Sequence, residues 1–270
     1  MRIIALPLTS SVRSPRLVGS PSPLVYYHFQ VPPKAANKRS GWVDWATGKA
    51  AGIWAQFGKA SESSWKFKIF TYGERLVDRV DFEELALKGV DPSMGPKLSH
   101  PRSPSEEQTK TTFIPLVHPK FVGTSLLVHL ETILARRTPR HRKGFYTWML
   151  LAPLTAPFML IPVVPNLPFF FCVWRSWSHY RAYKASEYLQ SLLHRGAIVS
   201  HSDVALDGIY ATHVPSESLH DSTKSISEDG REVLLSRDAV PRILEVFGLP
   251  ESAASDIYRA IEQAKARLPA

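Results

Sequence analysis

One cysteine, Cys172, stands in 270 residues. That excludes an internal disulfide and a cysteine-rich zinc site, and it fits a reducing or redox-neutral compartment. Acidic residues are missing before Asp44, although Arg2, Arg13, Arg16, Lys34, Lys38 and Arg39 precede it. Charge is missing again from Phe145 to Trp174. Catalytic signatures are lacking too. Gly48-Lys49 has neither the preceding glycine nor the following hydroxyl of a phosphate-binding loop. No Gly-x-Ser-x-Gly elbow and no His-Glu-x-x-His pair occur. His201-Ser202-Asp203, with Asp207 close by, offers no metal-ligand spacing and reads as a solvated loop. No catalytic, cofactor-binding or metal-ligating residue is assigned, and the chain reads as non-enzymatic, with no cofactor.

What is present is enough for a core. Hydrophobic residues make up 44% of the chain and seven residues are Trp, so apolar burial is available to offset chain entropy. The net charge of +9 and pI near 9.7 favour an anionic partner, nucleic acid or anionic lipid.

The N-terminus admits two readings. MRIIALPLTSSVRSPRL has the composition of a mitochondrial transit peptide. Its pattern, however, gives two short strands, Arg2 to Leu8 and Leu24 to Phe29, flanking a Ser/Pro-rich loop. From Trp42 to Phe57 the apolar residues recur at helical spacing, and this Trp-rich face either packs inside the protein or lies in a lipid interface. A helix is expected from about Ser63 to Val80, interrupted near Gly73, and another from Phe82 to Lys88, stopped by Gly89 and Asp91-Pro92. The carboxylates Asp78, Asp81, Glu83 and Glu84, with Arg75, Arg79 and Lys88 near them, read as weak surface ion pairs. Ser93 to Thr112 has no apolar periodicity and reads as a loop or linker. Beyond it, Leu126, Leu127, Leu130, Ile133 and Leu134 mark an amphipathic helix from Phe121 to about Arg137.

The basic run Arg136, Arg137, Arg140, Arg142 and Lys143 leads into the charge-free segment. Thirty residues exceed the roughly 20 that cross a bilayer as a helix. Pro153, Pro157, Pro162, Pro165 and Pro168 oppose one straight helix. Two short helices, Phe145 to about Leu160 and Asn166 to Trp177, suit the prolines better. Basic flanks at both ends, with Arg175 and Arg181 following, place them on one side by the positive-inside tendency. Trp148, Trp174 and Trp177 stand where an aromatic belt would place them. A pair of buried helices in a soluble core is the alternative. The segment holds no ionisable group beyond Tyr146 and Cys172, so it is poorly equipped to carry ions alone.

A helix from Tyr180 to Leu193, a mixed stretch Ile198 to Ile209, a Ser/Asp-rich loop Pro215 to Glu232 and a closing helical hairpin complete the chain. The hairpin runs from Ser236 to Phe247, capped by Gly248, and from Ser252 to Leu268. The fold class is mainly α with a small N-terminal β element (α+β), the helices arranged around the proline-broken apolar hairpin. Four segments are expected: 1–92, a linker 93–118, 119–195 with the apolar hairpin 145–174, and 196–270.

Two stretches carry a family resemblance: Tyr72-Gly73-Glu74-Arg75-Leu76-Val77-Asp78-Arg79 onward to Asp91-Pro92, and Pro165-Asn166-Leu167-Pro168 onward to His179-Tyr180-Arg181-Ala182. The chain resembles the fungal mitochondrial potassium–proton exchange-related family. The resemblance implies a mitochondrial, inner-membrane protein needed for potassium–proton exchange and matrix volume control, and it brings no ion-ligating residues. The Ser/Pro loop from Val12 to Pro23 departs from the usual family start.

The expected role is a non-enzymatic component or regulator of that exchange, with both hairpin flanks on the matrix side. Docking to membrane or partner falls on Trp148, Pro153, Pro157, Pro162, Pro165, Asn166, Pro168, Trp174 and Trp177. Anionic mitochondrial lipid is expected to meet Arg136, Arg137, Arg140, Arg142, Lys143, Arg175 and Arg181. Other exchanger subunits are expected partners. The alternative is a soluble basic helical matrix protein that binds RNA or a protein. Nucleic acid is disfavoured, because only Trp65 to Phe70 interleaves aromatic and basic residues.

Overall fold

The computed structural model describes residues 1–10, 23–31, 42–90, 95, 113–122, 125–155, 157, 167–213 and 232–268. The fold is α+β and mainly helical. Residues 33–81 form one compact unit, and residues 1–32 with 82–270 form the other.

In the larger unit, four strands make one sheet: β1 (Arg2–Pro7), β2 (Val25–Gln30), β3 (Ile114–His118) and β4 (Ile198–Ser202). Their order is β2-β1-β3-β4. β1 and β2 pair antiparallel with Ile3 opposite Phe29 and Ala5 opposite Tyr27, while β1–β3 and β3–β4 are parallel. The expected N-terminal strand pair is therefore present. β3, by contrast, lies where a linker was expected, at its C-terminal end. Pro115 disguises it. That proline, second in the strand, precedes the β1 ladder, which joins Ile3 to Leu116 and Ile4 to Val117, so no β1 bond is lost to the missing N–H.

Both faces of β1 are buried, and its period of two sorts its residues between two cores. Ile4 and Leu6 join Tyr26 and Val117 against Leu206, Ile243, Ile257 and Ile261. These last belong to α6 (Val204–Thr212), α7 (Val240–Phe247) and α8 (Ser252–Ala266). On the other face Ile3 and Ala5 join Tyr27, Phe29 and Leu116 against Leu126, Leu130, Leu134, Ala185 and Leu189. Those helical residues come from α4 (Ser125–Thr155) and α5 (Leu167–His194). Between β3 and β4, a parallel pair that needs a crossover, the chain makes the α4–α5 hairpin. Gly248 closes α7 in the left-handed conformation, φ 58°, as expected of a C-cap glycine.

α4 does not end near Arg137 as expected. It continues through Pro139 and Pro153 to Thr155. Both prolines are exposed, as are Ala135 and Met149 four residues earlier. The carbonyls that lose their partner are thus on the water side, where a helix tolerates the break best. α5 likewise unites the expected second apolar arm with the helix expected from Tyr180. The expected turn at Pro162, Pro165 and Asn166 lies outside the described residues. So does most of the Pro215 to Glu232 loop.

The smaller unit is a helical hairpin of α1 (Trp42–Gly58) and α2 (Trp65–Asp78). Trp54 lies against Phe70 with ring centroids 5.4 Å apart, and its indole N–H donates to Glu74 at 2.9 Å. Gly73 does not interrupt α2. A Cβ there would stand 2.4 Å from the Trp54 ring, so the glycine admits the close packing of α1. Because Trp65 to Phe70 is helical, its aromatic and basic residues are spread around an axis rather than sorted onto two strand faces.

Candidate functional site

A buried polar cluster fills the space between α4, α5 and the short α3 (Phe82–Lys88). α3 brings Glu83 and Glu84, both buried. Arg137 on α4 grips Glu83: its Nε donates to Oε2 at 2.8 Å and a terminal nitrogen reaches the same oxygen. Arg175 on α5 forks onto both oxygens of Glu84, the longer contact being 3.3 Å. Ser178 Oγ donates to Glu84 Oε1 at 3.2 Å, and the Lys88 ammonium lies 3.5 Å from that oxygen. Arg181 donates to the Lys88 carbonyl and so caps α3. The surface-pair reading of Glu83 and Glu84 is thereby corrected. Seven residues are too few for a helix to persist alone, and two buried carboxylates fasten this one to the hairpin.

One helical turn beyond each arginine sits a histidine. His141 and His179 are both buried, with their Nδ1 atoms 3.1 Å apart. His179 lies so close to α4 that a Cβ on Gly144 would stand 2.8 Å from its ring. Among the described residues, His141 Nε2 is a buried polar atom with no hydrogen-bond partner. The donor atoms of Glu84, His141 and His179 all lie within 4.8 Å of one another. No metal ligands were expected from sequence, yet these three groups could hold an ion.

Burial opposes charge throughout the cluster. For Glu84 the hydrogen bond and charge of Arg175, aided by Lys88 and His179, outweigh it and hold the carboxyl down at about 2. Burial pushes His141 down to about 4 against the pull of Glu84, and burial with Arg175 also lowers His179. At neutral pH the carboxylate is therefore ionised and both imidazoles are neutral.

Beyond the cluster the hairpin changes character. Tyr146, Met149, Leu150, Pro153, Leu154 and Pro157 are exposed along α4, and Pro168, Phe170, Val173, Trp174 and Trp177 along α5. Each arm buries its inner stripe instead, with Trp148 packed edge-on to Phe171 at 5.4 Å and Ala152 and Cys172 buried. The alternative of two helices buried in a soluble core does not describe these arms. Among the described residues no helix is long and apolar enough to cross a membrane.

The predicted residues divide accordingly. Arg136, Arg140, Arg142, Lys143 and Arg181 are exposed. Arg137 and Arg175 are not surface groups; they turn inward to Glu83 and Glu84. His201 is exposed at the end of β4, while Asp203 caps α6 by accepting from Ala205 N at 2.7 Å and Asp207 accepts from Lys120 N at 2.7 Å. These two aspartates hold local structure rather than stand in a solvated loop. The cluster itself was missed, although the sequence carries a sign of it. Arg137-x-x-x-His141 and Arg175-x-x-x-His179 repeat one spacing on facing helices, and one helical turn puts each pair on a common face.

The family model described as mitochondrial K+-H+ exchange-related matches residues 2–193. An uncharacterized protein of Schizosaccharomyces pombe is 27% identical over 186 residues, which covers 69% of this chain and 72% of its own length. An uncharacterized protein of Saccharomyces cerevisiae is 23% identical over 244 residues, covering 81% of this chain and 73% of its own. No solved structure matches. The matched span runs from β1 to the last turn of α5 and includes the whole cluster and both exposed arms, so the chain belongs to the mitochondrial K+-H+ exchange-related family.

Proposed function

We propose that the chain is a non-enzymatic component or regulator of mitochondrial K+–H+ exchange that docks on the inner membrane from the matrix side and contributes to matrix cation and volume homeostasis. The supporting observation is the exposed apolar end of the α4–α5 hairpin with a basic shoulder behind it. Tyr146 to Leu154 advances roughly 12 Å along the helix axis, less than half of a hydrocarbon core about 30 Å thick. Such an arm suits insertion into one leaflet. The His141–His179, Ser176–Phe145 and Trp148–Phe171 contacts run the two helices antiparallel with their basic stretches at one level, which supports both flanks meeting one membrane face.

Two forces are needed together. Leu150, Leu154 and Phe170 are 68%, 72% and 61% exposed, and burying that remainder in lipid is worth about 1–2 kcal/mol each. This resembles a single acyl chain, which binds only reversibly. Four exposed cations, Arg136, Arg140, Arg142 and Lys143, add about 1 kcal/mol each at an anionic surface. The described apolar arms carry no ionisable side chain other than Tyr146 and Cys172, which supports a separate carrier subunit as the ion path.

Vesicle flotation of the purified chain tests this. Wild type floats with cardiolipin-containing vesicles and not with purely zwitterionic ones, and Leu150→Arg/Leu154→Arg abolishes flotation with an unchanged circular dichroism spectrum. Equal flotation of the variant, or flotation indifferent to lipid charge, overturns the docking mode. Reconstituted alone, the chain should pass no potassium-driven proton flux; such flux would overturn the regulatory reading.

A further inference from the structure

The geometry points to a zinc-type site formed by Glu84, His141 and His179, with the class of ligand a divalent transition-metal ion that prefers imidazole. Three observations carry it independently of membrane docking. First, three helices deliver two imidazoles and a carboxylate, a donor set that suits Zn2+ with a fourth position left open. Second, the two Nδ1 atoms stand 3.1 Å apart, and two nitrogens bound tetrahedrally at 2.0–2.1 Å from zinc would be about 3.3 Å apart. A Glu84 carboxylate oxygen lies within 4.8 Å of one ring nitrogen of each histidine and closes the set by a side-chain adjustment. Third, the protein leaves donor capacity here unspent. The two Nδ1 atoms that would take the ion meet each other in its place, and the other nitrogen of His141, Nε2, is buried with no partner, so no second hydrogen bond from that ring would be broken by metal binding.

The surroundings decide which ion. Three cations, Arg137, Arg175 and Lys88, face two carboxylates, Glu83 and Glu84. Another cation gains little from the local field, which disfavours Mg2+, Ca2+ and K+; these depend on oxygen ligands, and the set supplies one carboxylate. Binding has to come from nitrogen lone pairs, and imidazole suits zinc and its neighbours. Arg175 and Ser178 serve a ligating Glu84 as partners that orient it and keep it ionised. The missing side chain of Gly144 is what admits the His179 ring.

Calorimetric titration of the full chain, free of affinity tags and pre-treated with chelator, tests the site. Zn2+ should bind one to one, Mg2+ and K+ should not compete, and His179→Gln should weaken Zn2+ by more than about tenfold while His201→Gln, at an exposed histidine, leaves it unchanged. Co2+ added to the unaltered wild type should give the visible absorption of a four-coordinate nitrogen–oxygen site, which keeps the test valid if His179→Gln does not fold. Absence of saturable one-to-one binding, absence of the cobalt band, or equal affinity in folded His179→Gln would overturn the assignment.

Discussion

Replacing Glu84 by Gln removes the charge on which the cluster is built while keeping shape and volume. Arg175 and Lys88 then face each other without the carboxylate that separates them, and Ser178 loses its charged acceptor. Two estimates of the loss agree. Breaking a buried pair by deleting one partner costs about 3–5 kcal/mol. The carboxyl is lowered from 4.5 to about 2, a preference for the ionised form worth about 3 kcal/mol. Burial pushes the other way, so this is the net effect of Arg175, Lys88 and His179 over desolvation. Thermal melts followed by circular dichroism should show a fall of roughly 6–12 °C at pH 7. The pH dependence carries a second signature. Because the folded carboxyl titrates below its unfolded value, its stabilisation is complete above pH 4.5 and is lost as pH falls through about 2. Glu84→Gln should lose this component and decline less steeply than wild type across that window. A change under about 1 kcal/mol at pH 7, with the low-pH decline retained, would refute the ion-paired reading.

The histidines give a separate window. His141 accepts a proton near 6.5 when unfolded and near 4 when folded, so stability is complete above pH 6.5 and falls by about 3 kcal/mol towards pH 4. His141→Gln should remove that slope in equilibrium denaturation, and an unchanged slope would count against a neutral buried pair. Gly73→Ala places a Cβ 2.4 Å from the Trp54 ring. It should destabilise the α1–α2 unit by about 1–3 kcal/mol, read as faster proteolysis within residues 42–78, and unaltered protection would contradict the packing.

Local signals served well where one periodicity ruled. The β1 and β2 runs, the cap at Gly248, α3 and the closing helices were all legible, since side-chain period and terminal residues report on local backbone. Long-range facts were not. β3 is five residues with a proline second, and only its pairing with β1 and β4 makes it a strand. Arg137 and Arg175 sit in strongly basic stretches and so look like surface residues. Nothing adjacent to them in sequence announces that Glu83 and Glu84 will be brought over them by a helix from another part of the chain.

Seen from the hairpin, the cluster explains how a partly exposed pair of helices can hold one register. The distal arms pair through aromatic side chains and bury Ala152 and Cys172, contacts that are weakly directional and would permit sliding by a turn. Polar contacts permit much less. The forked Arg175–Glu84 pair, the Arg137–Glu83 pair and the His141–His179 contact each fail if either helix shifts by one turn, about 5.4 Å. Trp174 extends this fixed level to the exposed stripe, with the Lys88 ammonium 5.5 Å and the Arg175 guanidinium 5.9 Å from its ring centre. Charge, indole and apolar surface therefore lie next to one another at this level of the hairpin. In the docking mode proposed above, that adjacency would set depth: the cations resist entering hydrocarbon, the indole favours the boundary, and only the arms beyond them would go further.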